Sequence, residues 1–266
     1  MGGADVTARE NTVPPPPEGF VIALQFYAGD KDRALRLARL IANIEPEVRR
    51  DVALAVCPRF DIGDCDDIAT TMFDDIATTM FDVMKKIPAL LVESDDPTGV
   101  GHPEGANGLW SFTFNALAEM WQAGRLNYGS VFFIEPDGCP LRRDWISVLL
   151  NEHRRTLEAG KRVTGAVMHQ PDPTRSPHVN GSLIAHLSLW ADRPSLHRTP
   201  ADQAWDLFHA PVLMAEVRET SLVRNIYGAT EYTPPVLAAL ARQTAFLAST
   251  KDDSTIEWAE SALVGR

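Results

Sequence analysis

Two carboxylates one residue apart, Glu135 and Asp137 of Glu135-Pro136-Asp137, follow directly on the apolar run Val131-Phe132-Phe133-Ile134. Carboxylates at the end of a buried run cost free energy unless something positive meets them. Hard divalent cations such as Mg²⁺ and Mn²⁺ prefer carboxylate oxygens together with substrate phosphates, and open α/β sheets gather ligands outside the carboxyl ends of their strands. The chemistry this allows is a metal held against a diphosphate. Alone, the triplet is ordinary turn chemistry, because Pro and Asp both favour turns; its weight comes from its company.

Three further clusters accompany it. Upstream, Gly101-His102-Pro103-Glu104-Gly105-Ala106-Asn107 opens a helix, with small residues and backbone N–H groups where a phosphate or ribose can approach closely. Downstream, Pro177-His178-Val179-Asn180-Gly181-Ser182 reads as a polar turn before the apolar run Leu183-Ile184-Ala185. Finally, Trp205-Asp206-Leu207-Phe208-His209 brings together an acid, two aromatics and a histidine.

The elements that must position these clusters alternate along the chain. Phe20-Val-Ile-Ala-Leu-Gln-Phe26 reads as a buried strand ending in the turn Ala28-Gly29-Asp30, and Lys31 to Ile44 has apolar residues at helical spacing. Asp51 to Cys57 is a second strand, so the first third is a βαβ unit and implies a parallel sheet. Asp66 to Phe73 is repeated without change as Asp74 to Phe81. Eight residues at about 100° each add roughly two turns and a modest offset, so the repeat reads as a lengthened surface helix. Strands are expected at Ala89–Glu93, Tyr128–Ile134 and Val163–Met168, with helices at Leu109–Ala123 and Asp144–Ala159. Thr233 to Arg266 reads as one or two helices closing the domain. Pro14 to Pro17 form a tetraproline run, so residues 1–18 are expected to be a flexible leader and residues 19–266 a single domain.

In this order the four clusters resemble the GT-A type of nucleotide-sugar glycosyltransferase. The resemblance spans about residues 20 to 230 and implies a mostly parallel, twisted central sheet flanked by helices. Glu135-Pro136-Asp137 looks like a variant of that family's Asp-x-Asp motif, Gly101 to Asn107 is similar to its Gly-x-Pro-x-Gly-x-Asn loop, and His178 to Gly181 to the motif bordering the donor and acceptor sugars. The resemblance implies Mn²⁺ or Mg²⁺ held by Asp137 and Glu135, with His209 as the downstream histidine that completes such a site. It implies a nucleoside-diphosphate sugar, with a UDP-sugar foremost, bound by Gln25, Tyr27, His102, Gly105, Asn107, Glu135, Asn180 and Gly181. In an inverting enzyme of this kind Asp206 would be the base that deprotonates the acceptor hydroxyl. The acceptor classes it leaves open are glycans, lipid-linked sugars, small molecules and the hydroxymethylated bases of phage-type DNA; Arg33, Arg36 and Arg39, or Arg142, Arg143, Arg154 and Arg155, would supply the basic face DNA requires. Glu135 stands where the family has its first Asp, which keeps open a non-catalytic nucleotide-sugar-binding domain. A sugar-phosphate nucleotidyltransferase ranks lower, because Tyr27-Ala-Gly-Asp-Lys-Asp32 has one glycine where such enzymes carry a Gly-rich basic loop.

Composition narrows the remaining classes. The formal net charge of −11 argues against a protein that coats nucleic acid. Cys57, Cys65 and Cys139 are too few for a disulfide framework and read as reduced thiols. The first residues lack a signal-peptide core and no run approaches a membrane span, so the expectation is a cytoplasmic protein. Gly-x-Ser-x-Gly, the Gly-x-x-x-x-Gly-Lys phosphate loop, His-Glu-x-x-His and Gly-x-Gly-x-x-Gly are all missing.

Overall fold

A computed structural model describes residues 19–59, 66–93, 102–169, 176–226, 232–248 and 253–264. The expected leader lies outside them. The chain runs through β1 (Phe20–Tyr27), α1 (Lys31–Ile41), β2 (Val52–Arg59), α2 (Asp66–Met84), β3 (Ala89–Leu91), α3 (Glu104–Gln122), β4 (Ser130–Ile134), β5 (Cys139–Pro140), α4 (Trp145–Glu158) and β6 (Val163–Met168). It continues through β7 (His178–His186), α5 (Ser188–Asp192), α6 (Trp205–Phe208), α7 (Ala210–Glu216), β8 (Val217–Glu219), β9 (Val223–Asn225), α8 (Pro234–Leu240), β10 (Phe246–Ala248) and α9 (Ser254–Ala259).

Seven strands form the central sheet in the order β3-β2-β1-β4-β7-β6-β8. The pairs β3–β2, β2–β1, β1–β4 and β6–β8 are parallel, while β7 runs antiparallel to both β4 and β6. This is the mostly parallel α/β sheet expected from the alternation of elements. β1 is central because its side chains alternate between two apolar layers. Phe20, Ile22 and Leu24 pack with α1, α2, α4 and α9 on one face. Val21 and Ala23 pack with α3, α5 and α7 on the other. Each fully buried Val, Leu, Ile or Phe side chain contributes about 1.5–3 kcal/mol relative to exposure. The strand order reverses direction at β1, which neighbours both β2 and β4, so the carboxyl ends of β1 and β4 form the switch-point crevice where such sheets take ligands. A second sheet, β5-β10-β9, packs beside it.

Three sequence expectations change. The Pro177–Ser182 stretch is not a turn: from His178 onward it belongs to β7, and the apolar run after it continues the same strand. Its polar character reflects the pairing with β6, whose register shifts between Gly165 and Val167 opposite Asn180 to Ser182. α3 begins at Glu104, five residues before the apolar periodicity starts, because Gly105 and Asn107 are buried in its first turns. The segment after Thr233 holds a strand as well as helices, since Phe246–Ala248 pairs with β5 and β9 and so completes the second sheet. The duplicated residues do form one helix, α2, with Met72 and Ile76 buried and Phe81 exposed. Gly124 and Gly160 follow α3 and α4 at φ 68° and 72°, the left-handed conformation that ends helices and favours glycine.

Candidate functional site

β4 ends in a tight turn, in which Gly138 N–H donates to the Glu135 carbonyl at 2.9 Å. The turn presents Glu135, exposed, and Asp137, half-buried, at the carboxyl edge of the sheet. A side chain at position 138 has no room, because a Cβ there would come within 2.5 Å of Cζ of Phe246 in β10. The second sheet therefore buttresses the acidic turn from behind.

A cleft of about 200 Å³ opens at this edge, lined by His102 and Ala106 from the start of α3, Glu135 and Asp137, Asn180, Gly181 and Ser182 from β7, Ala204, Trp205 and Asp206 at α6, and Asn225 and Ala248 from the second sheet. Of the residues singled out from sequence, His102, Glu135, Asp137, Asn180, Gly181 and Asp206 meet here, although up to 104 positions separate them in the chain. Asn180 Oδ1 accepts from the Ser182 backbone N–H at 3.0 Å, which fixes the carboxamide in the irregular part of β7.

Asp206 is held by a chain of packing that starts in α3. Trp205 stacks on Trp110 with centroids 4.2 Å apart and planes 9° from parallel, and its ring lies 3.6 Å from where a Cβ of Gly181 would stand. Asn107 fastens this arrangement: Nδ2 donates to the carbonyls of Pro200 (3.1 Å) and Gln203 (2.7 Å), and Oδ1 accepts from the Trp205 backbone N–H (2.9 Å). Burial holds the Asp206 carboxyl above the usual carboxylate range, against the opposing charge of His178, the Leu207 backbone N–H at 2.9 Å and His102. A carboxylate of raised basicity is better matched to accepting a proton near neutrality.

The remaining expected residues stand elsewhere. Gln25 is buried and its Nε2 donates to the Leu109 carbonyl at 3.1 Å, tying β1 to α3. Tyr27 is 46% exposed at the end of β1, its ring lying over Gly29. Gly105 and Asn107 lie buried in α3 behind the cleft. His209 is outside the lining: it is buried, 2.9 Å from Thr199 Oγ1 through Nε2, against Trp110 and Phe208, and burial lowers its pKa to about 4. Asn225 and Ala248 were missed because the second sheet is assembled from strands too short to leave a periodic signal.

Among the described residues no group of three or more His, Cys, Asp or Glu is arranged to hold a metal. Glu135 and Asp137 on one wall nevertheless fit a cation that keeps several waters and takes the rest of its oxygens from a bound diphosphate, as Mg²⁺ and Mn²⁺ do. Most of the arginines that a DNA acceptor would need are engaged within the fold. Arg33 bonds Asp253, Arg36 bonds Glu260, Arg39 bonds Thr79, Arg142 bonds Asp144 through two nitrogens, Arg154 bonds Asn151, and Arg155 lies 3.7 Å from Glu152. No described helix is long and apolar enough to cross a membrane.

No protein-family model matches the chain. No curated protein matches it either. Solved structures do. Mouse xyloside xylosyltransferase 1 superposes with a TM-score of 0.51 at 10% identity, covering 88% of this chain and 98% of that one. The galactosyltransferase LgtC in complex with donor and acceptor sugar analogues gives 0.51 at 12% identity, over 92% and 95%. The bifunctional glycosyltransferase WbbM gives 0.54 at 11% identity, over 91% of this chain and 49% of that one. The fold is therefore that of the GT-A-type glycosyltransferases.

Proposed function

We propose that the chain is a glycosyltransferase that moves a sugar from a nucleoside-diphosphate sugar, a UDP-sugar first among donors, to a hydroxyl acceptor with Mn²⁺ or Mg²⁺. The observation that carries this reading is one cleft at the carboxyl edge of β4 that contains both the Glu135 and Asp137 pair and the half-buried carboxylate Asp206. In this reading Glu135 and Asp137 would hold the cation, which when bound would supply positive charge to stabilise the diphosphate. Tyr27 offers an exposed ring to the nucleotide base. Asn180 and Gly181 border the sugar. Asp206 takes the proton of the acceptor hydroxyl as the acceptor oxygen bonds to the anomeric carbon and the bond from that carbon to the diphosphate breaks, its electron pair leaving with the diphosphate. His209 is not assigned to the metal, because its Nε2 is engaged by Thr199 behind the cleft. A glycan acceptor is preferred to modified DNA, because most of the arginines that would form a basic face have partners of their own.

The test is a thermal-shift panel of nucleotide sugars with and without Mn²⁺, on the parent and on Asp137→Ala, since a ligand that binds the native state raises its melting temperature. A Mn²⁺-dependent rise with one donor, lost in Asp137→Ala, is expected. A parent that responds to no donor at saturating concentration would overturn the assignment.

A further inference from the structure

Resting on the transferase reading, we infer that the missing side chain at Gly181 sets the size of the sugar the cleft admits, a pyranose ring lying directly over the backbone there. Gly181 lines the cleft and is the only residue of β7 that is not buried. Glycine inside a strand weakens it and needs a reason: a left-handed backbone, a crowded neighbour or the close approach of a ligand. The first does not apply, since the left-handed glycines among the described residues are Gly124 and Gly160. The irregular pairing of Asn180 to Ser182 with β6 therefore makes no demand for glycine. Nor does packing. Among the described residues, a Cβ at position 181 would meet one atom within 4 Å, Cζ2 of Trp205, at an ordinary contact distance of 3.6 Å. Gly165 on β6 is the opposite case, because a Cβ there would come within 2.9 Å of Val179 Cγ1. Backbone and packing both tolerate a methyl group at 181, so the reason left is the close approach of a ligand.

The surroundings of that space give the chemistry of what enters it. The nearest side chain is the six-membered edge of the Trp205 indole, an apolar rim held in place by the stack on Trp110. Asn180 and Ser182 flank Gly181 along the strand and Asp206 adjoins Trp205, so hydrogen-bonding groups border the apolar rim. A pyranose matches both parts, with C–H bonds on its faces and hydroxyls around its edge. A side chain at 181 would stand where such a ring comes closest, and the overlap would grow with its size. Donor and acceptor can each bring a ring of this kind, and they differ in what the ring is attached to: a nucleoside diphosphate in one case, an independent molecule in the other.

The experiment measures binding to the parent, Gly181→Ala and Gly181→Val with Mn²⁺ present. The donor probes are UDP-glucose, UDP-galactose and UDP-N-acetylglucosamine; the acceptor probes are methyl glucoside and methyl galactoside, added with UDP. UDP alone, which has no pyranose, is expected to bind all three proteins within about twofold. At least one sugar bound by the parent is expected to bind about tenfold more weakly to Gly181→Val and by a smaller factor to Gly181→Ala. A loss among the UDP-sugars assigns the space to the donor's ring, and a loss among the methyl glycosides assigns it to the acceptor's. Without ligand, Gly181→Ala is expected to melt about 1–4 °C above the parent, because alanine restricts the unfolded chain at a position whose backbone accepts it. A lower melting temperature for Gly181→Ala, a parallel loss of UDP affinity, unchanged sugar affinity in both variants, or a parent that binds UDP but none of these sugars would each overturn the inference and leave the transferase reading standing. A parent that binds neither UDP nor any UDP-sugar would overturn both.

Discussion

Asn107 shows how much a single carboxamide can position. Its three hydrogen bonds are all to backbone atoms of residues 200 to 205, so it acts on Asp206 from behind the cleft without lining it. Asn107→Ala leaves the shielded Trp205 N–H unpaired and is expected to cost about 1–3 kcal/mol of stability in denaturant unfolding. Turnover should fall further than donor affinity, because the nucleotide edge at β1 is untouched. Gly138 is constrained by space: Gly138→Ala pushes a methyl into the Phe246 ring, and overpacking of this kind costs about 1–3 kcal/mol. Calorimetry of Gly138→Ala should show the loss, and Phe246→Leu in the same chain should recover part of it. Glu135, Asp137 and Asp206 could be singled out from sequence because carboxylates beside apolar runs need a reason. Asn225 could not, since an asparagine after two residues of strand has no pattern to violate, and His209 is a reminder that a histidine among aromatics is often a packed ring.

The duplicated helix makes a prediction about an element. The two copies are identical, so deleting Asp74 to Phe81 gives the same chain as deleting Asp66 to Phe73. In the shortened chain Asp67, Ile68 and Thr71 occupy the sequence places of Asp75, Ile76 and Thr79. The ion pair from Lys31 to Asp75, the burial of Ile76 and the bond from Arg39 to Thr79 at 2.9 Å can therefore all be remade. Among the described side chains, fully buried Met72 is not remade, since its place passes to Asp64, and the place of Phe73 passes to Cys65. The deletion is expected to fold with unchanged far-ultraviolet character but to lose about 2–5 kcal/mol, the range for losing a buried side chain of this size; an unfolded product would show that the first copy has a structural task of its own. That α2 is a helix was legible from its periodicity. The strand character of His178 to Ser182 was not, because residues that favour turns were there held in place by pairing with β6, which only the tertiary structure supplies.

On the scale of the whole molecule, acid sensitivity follows from buried histidines. His153 bridges Ser130 and Thr164 at 2.8 Å each, and burial lowers its pKa to about 3. His186 and His209 are lowered to about 4, mainly by burial. Each binds a proton more readily in the unfolded chain, so their contribution is fully present above about pH 6.5 and is lost as pH falls through the range down to those values. Glu216 adds to this at lower pH, since hydrogen bonds from Arg162 and then Arg193 hold it at about 2. The melting temperature should therefore decline as pH drops from 7.5 to 5, and His153→Gln should flatten the decline at the cost of some stability at neutral pH.

The pairing of α1 with the far end of the chain bears on synthesis. Arg33 and Arg36 meet Asp253 and Glu260, partners 220 and 224 positions away, and Ile256 and Ala259 cover the same apolar layer that α1 and β1 begin. While the chain is emerging from the ribosome, the strands and helices of the first half can assemble, but this side of the layer stays uncovered until residues 253–260 have left the exit tunnel. Until then the nascent protein presents a greasy flank beside the unneutralised guanidinium groups of Arg33 and Arg36, the kind of surface that chaperones shield and that a chain stalled before this point would carry into aggregates.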